Sequence, residues 1–119
     1  MIPNNLDECF IELDRFLSPN EKKNIIDSTE DYMINYHHNL GRHIRNEWYL
    51  WSLEPKGLAK YFNDIGIFHA DDMSGIILDS YWRFKHNIPL DIETQVKLYQ
   101  DYWAKQKQEE GVVQAIDTP

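Results

Sequence analysis

Apolar residues recur along this chain at intervals of three and four, the period of a helix with one buried face. Leu6, Phe10, Leu13 and Leu17 make the first such stripe, over residues 5–17, and Asn5 stands where an N-cap belongs. Ser18, Pro19 and Glu21 then carry a helix-start signal: a capping serine, a proline at the first helical position and an acid that can reach back. The helix they open is short and ends near Asp27.

The next stripe predicts a longer, third helix over residues 30–52. Met33, Tyr36, Leu40, Ile44, Trp48 and Trp51 share one side of it, His37 and Glu47 fall at the margin, and Gly41 leaves room for another helix to approach. A fourth helix is predicted over residues 58–65, with Leu58, Tyr61, Phe62 and Ile65 inward and Gly66 as its stop. After an extended connector, Asp71 or Asp72 is expected to cap a fifth helix running to His86. Met73, Ile76, Ile77, Leu78, Tyr81, Trp82 and Phe84 surround that helix, which suits a central position. Asp91 is expected to cap the last helix, whose stripe of Ile92, Val96, Tyr99 and Trp103 stops at Ala104. No segment alternates as a strand. The pattern predicts an all-α fold, a single compact domain of about six helices with a long central third helix. The domain is expected over residues 1–110, with a frayed tail over 111–119.

Charge and composition narrow the partners. With 42% hydrophobic residues in 119, the chain can bury a core. A net charge of -8 repels nucleic acid and anionic membranes and attracts a basic protein. The one cysteine, Cys9, cannot form an internal disulfide and falls within the first apolar stripe. The first residues lack the charged start and apolar run of a secretion signal, and no stretch reaches transmembrane length, so a cytoplasmic protein is expected.

The unusual chemistry lies on the outer side of the third helix. His38, Arg42, Arg45 and Tyr49, spaced by four, three and four, fall within one arc. Two guanidinium groups a turn apart repel unless something anionic lies between them. Asp71 and Asp72 are the candidates. Either they close an architectural clamp, or the six residues line a pocket for an anion or small ligand. His69 and the two aspartates have metal-compatible types but no metal-site spacing, and no glycine-rich phosphate loop or nucleophile–base pair stands out. No catalytic residue, metal or cofactor is therefore assigned, and a binding role is favoured over an enzyme.

Arg45-Asn46-Glu47-Trp48-Tyr49-Leu50-Trp51, then His69-Ala70-Asp71-Asp72-Met73-Ser74-Gly75-Ile76-Ile77-Leu78, then Tyr99-Gln100-Asp101-Tyr102-Trp103 form a recognisable series. Over residues 5–104 the chain resembles a family of small bacterial domains of unknown function sharing Arg-Asn-x-Trp-x-Leu-Trp and Asp-Asp-Met-Ser stretches. Ala70 stands where that family tends to carry proline. The resemblance implies a helical fold and a bacterial source, and brings no activity with it.

A small, helical, acidic chain without a catalytic set fits an immunity-type protein that neutralises a toxin by direct protein–protein binding. A basic toxin domain would be steered toward it. Glu12, Asp14, Glu30, Asp31, Asp64 and Asp79 are the candidate partner-binding acids. The alternative is a small-ligand binder or enzyme using the His/Arg/Asp pocket. An interaction module that pairs with itself through an exposed aromatic patch is a third reading, so monomer and homodimer both stay open.

Overall fold

The first stripe does what its spacing requires. In the computed structural model, which describes the backbone of residues 1–117 and the side chains of residues 1–109, helix α1 (Leu6–Phe16) buries Leu6, Cys9, Phe10 and Leu13. Asn5 accepts the Glu8 N–H at 2.9 Å as its N-cap. Helix α2 (Pro19–Asp27) starts with the full capping box, Ser18 and Glu21 each bonding the other's backbone. Helix α4 spans Gly57–Asp64, α5 spans Ala70–Lys85 and α6 spans Ile92–Asp117. Among the described residues the fold is all-helical. The tail expected over residues 111–119 lies outside the residues whose side chains are described.

Helix α5 is central, as its apolar circumference implied. It packs against α1, α2, α4, α6 and the 31–47 segment that follows α2. Met73, Ile76, Ile77, Leu78 and Tyr81 are buried, while Phe84 is left partly exposed. Its C-terminal end is tied to α2: the Trp82 indole N–H donates to Ser28 O at 2.9 Å, and Arg83 pairs with Glu30 at 2.7 Å. On α6, Gln95 donates to Ser80 Oγ and Leu90 O, and Val96 is buried.

The third element departs from the expected single helix. It runs as a 3-10 turn at Asp31–Tyr36, a π turn at His37–Gly41 and a short helix α3 at Arg42–Glu47. The longest helix is α6, not this one. No proline lies between Asp31 and Glu47 to mark the irregularity. Its cause is tertiary. The Arg45 side chain turns back and donates to His37 O at 3.2 Å, at the first residue of the wide turn. Gly41 permits this: a Cβ there would stand 3.0 Å from Arg45 Nη1. The helix also stops four residues early for the expected face, so Met33, Ile44 and Trp48 are buried but Trp51 is 56% exposed.

Three helices end in the same way. The N–H two residues beyond the cap bonds the carbonyl three residues inside the helix end: Leu50 to Arg45 for α3, Ile67 to Phe62 for α4, Ile88 to Arg83 for α5. The residue at the bend must have positive φ. α4 uses Gly66 (φ 94°) and α5 uses Asn87 (φ 55°), both suited to it. α3 uses Tyr49 (φ 56°), which is not.

The expected aspartate cap of α5 is not formed. His69 occupies the cap position with no side-chain hydrogen bond, and Asp71 and Asp72 fall in the first turn. Their charge still suits the positive helix end. Their side chains are drawn elsewhere, Asp71 to Arg45 and Asp72 to α6.

Candidate functional site: an acidic groove behind a closed arginine clamp

Arg45 and Arg42 are three residues apart, which on a helix separates them by about 60°. That angle decides their fates. Arg45 lies toward α5 and is only 5% exposed, while Arg42 faces solvent. The Arg45 guanidinium is held on every side. Nη1 donates to Ser74 Oγ at 2.9 Å, Nη2 donates to His37 O, and Nε lies 3.3 Å from Asp71 Oδ1, an ion-pair distance without hydrogen-bond alignment. Ser74 Oγ in turn donates to Asp71 O at 3.0 Å, and the Trp51 ring covers the guanidinium at 5.8 Å. The clamp is thus closed by the chain's own groups, with one arginine and one aspartate.

The six residues expected around that pocket are divided among several places. Arg45 and Asp71 meet. Asp72 accepts the Trp103 indole N–H at 2.8 Å, and Trp103 stacks on His69 at 3.9 Å. His38 is exposed, its ring edge-on to His37 at 5.1 Å. Arg42 makes no ion pair among the described residues, and Tyr49 points to solvent beyond the end of α3. His37, expected at the margin, is the histidine nearest the clamp, with Nε2 3.9 Å from Asp71 Oδ1.

What the structure assembles instead is a groove of about 450 Å³ between the 31–37 segment, α5 and α6. Glu30, Asp31, Asp71, Asp72 and Asp79 line it, with His37 and Tyr99. Met33, Ile34, Leu78 and Gly75 complete the lining. Gly75 lets α6 come close: a Cβ there would meet the Tyr99 hydroxyl at 2.5 Å.

The charges in this groove are unevenly answered. Glu30 pairs with Arg83, and Asp71 with Arg45. Asp31 and Asp79 have no hydrogen bond or ion pair among the described residues. Burial, then Glu30, pushes the Asp79 carboxyl up to about 6, against the opposing pull of Arg83. Burial also lifts Asp72 above the ordinary carboxylate range, although Trp103 and His69 pull it down. Tyr99 is pushed up to about 12 by burial and then by Asp79 and Asp72.

Three of the six candidate partner-binding acids, Glu30, Asp31 and Asp79, therefore share the groove. The other three do not line it. Glu12 sits 3.6 Å from both Arg15 and the N-terminal ammonium, Asp14 pairs with Lys85 and accepts the Tyr81 hydroxyl at 2.7 Å, and Asp64 pairs with Lys60 at 2.8 Å. Sequence reasoning missed His37, Tyr99 and Ser74 as part of this site. One signal was present: Asp72 and Asp79 lie seven residues apart, two turns along the same helix face, with Gly75 between them.

The fold and the site together define a small all-helical domain with an acidic groove beside its central helix. The chain belongs to the family described as a domain of unknown function (DUF6794), whose model matches residues 2–85. The match spans α1 to α5 and includes the Arg45 clamp. It stops short of the expected residue 104 and leaves Tyr99 and Trp103 outside. No curated protein and no solved structure matches the chain. Among the described residues, no helix is long and apolar enough to cross a membrane.

Proposed function

We propose that this chain is an acidic binding protein that takes a basic surface of a partner protein into the groove, in the manner of an immunity protein neutralising a bacterial toxin in the cytoplasm. One observation carries the reading: five carboxylates line the groove, and among the described residues Asp31 and Asp79 have no counter-charge bound to them. Leaving carboxylates so close opposes folding, because like charges in a partly desolvated site repel. A lysine or arginine side chain from a partner relieves that repulsion and is drawn in by the net charge of -8. The closed clamp supports the same choice. A pocket for an anion would need Arg42 and Arg45 free together, and Arg45 already donates to Ser74 and His37.

The toxin reading rests on the small, acidic, helical character of the chain, and a test of it starts from the genome. Calorimetry with the protein encoded beside this chain should give a complex with a dissociation constant below about 1 µM. Its affinity should fall as salt rises, and Asp31→Lys should weaken it at least about tenfold without lowering the melting temperature. Absence of a complex would remove the toxin reading. A complex indifferent to Asp31→Lys would move the contact away from the groove.

A further inference from the structure

A second surface lies outside this groove, where α3 ends. Tyr49 takes the left-handed conformation there, which disfavours a bulky side chain by about 1–2 kcal/mol. The chain uses glycine and asparagine at the two equivalent bends. The Tyr49 side chain itself recovers none of this inside the fold: it is 65% exposed and its hydroxyl makes no hydrogen bond among the described residues. Leu50 turns inward and is buried, and beyond it the chain faces outward again. Trp51 is 56% exposed and Leu53 is 98% exposed. Tyr49 and Trp51 line a cleft of about 710 Å³ with Trp48, Leu58 and Ile2, and Leu53 stands between two further lining residues, Ser52 and Glu54.

We infer that this cleft is a two-fold interface, and that its occupant is a second copy of this chain. The surface has both halves of a self-complementary contact: protruding apolar residues and, beside them, a cleft to receive them. Area is sufficient. Tyr49, Trp51, Leu53 and Ile2 leave roughly 500 Å² of side chain uncovered per copy, so two copies supply about 1,000 Å² before the polar rim is added. Stable interfaces begin near about 1,200 Å² in total.

Charge selects the occupant. Two chains of net charge -8 repel over most of their surface. Here the cleft is lined by one acid and one base two residues apart, Glu54 and Lys56. In the proposed pair the axis passes beside these residues, so that Glu54 meets the partner's Lys56 and the reverse contact forms equally. A basic partner protein gains nothing from this neutral face and has the groove instead. The inference is therefore independent of the groove reading.

Sedimentation equilibrium over a concentration series tests it. The expected mass rises from the 14.3 kDa of one chain toward twice that value. Leu53→Asp should hold the chain at one copy with an unchanged helical spectrum. Glu54→Lys should weaken pairing about tenfold, and adding Lys56→Glu to it should restore pairing. Asp31→Lys, in the groove, should not weaken pairing, so the two readings fail separately. A wild-type chain that stays at one copy up to about 1 mM overturns the inference. So does a dimer that survives Leu53→Asp.

Discussion

Replacing Arg45 with alanine separates an architectural clamp from an open anion site. The guanidinium is 5% exposed and donates to Ser74 Oγ at 2.9 Å and His37 O at 3.2 Å. Hydrogen bonds from a charged donor contribute about 1.5–3 kcal/mol each, and removing the side chain also opens a cavity behind Trp51. Against this, the Asp71 side chain is 57% exposed and stays hydrated when its partner is lost, so that ion pair adds little. Ser74 also keeps its bond to Asp71 O. The balance is a loss of about 3 kcal/mol, or a melting temperature lower by roughly 10–15 °C for a chain of this length. Chemical denaturation followed by circular dichroism measures it. Arg42→Ala, at an exposed position three residues earlier, is the control and should shift stability by less than about 0.5 kcal/mol. If Arg45→Ala matches that control, Arg45 is not holding the 31–47 segment on α5, and the clamp is free for a ligand after all.

Other substitutions probe the neighbouring parts. Asp79, with its carboxyl raised to about 6, holds its proton more tightly folded than unfolded. Its contribution to stability is full below about pH 4 and is lost as pH rises through about 6. Asp79→Asn should flatten the stability profile over that window and raise stability at pH 7.5 by about 1–2 kcal/mol, read from urea midpoints. Gly75→Ala places a methyl 2.5 Å from the Tyr99 hydroxyl and should lower the melting temperature despite alanine's better helix propensity. Adding Tyr99→Phe should recover most of that loss, which a double-mutant cycle would show. Tyr49→Gly should stabilise the single chain by about 1 kcal/mol at high dilution, where self-association makes no contribution, while weakening pairing in the ultracentrifuge.

Most of the fold could be read from local signals, because those signals are local in cause. The Asn5 cap, the Ser18–Glu21 box, the Gly66 stop and the burial of Leu6, Phe10 and Leu13 each depend on residues within a turn or two. The third element was misread for the opposite reason. Its 3-10 and π turns answer to Arg45 and Gly41 packing against α5, which no wheel of residues 30–52 contains. Aspartate before a helix usually caps it, and sequence alone therefore points Asp71 or Asp72 to that role. Arg45 and Trp103, twenty-six and thirty-one residues away in sequence, recruit them instead. The groove was half legible. Glu30, Asp31 and Asp79 were named for their charge, but their convergence with Tyr99 requires α6 to cross Gly75, a long-range fact.

The central claim is that the groove is built to receive a cation, and Asp79 reports on it directly. A carbon-13 titration of its side-chain carboxyl, alone and with an octalysine peptide, measures the effect. The expected midpoint is about 6 in the free chain. It should fall by about one unit or more when the peptide is bound, because a lysine beside the carboxylate favours its charged form. A free midpoint near the ordinary value of 3.8, or one that the peptide leaves unmoved, would contradict the account.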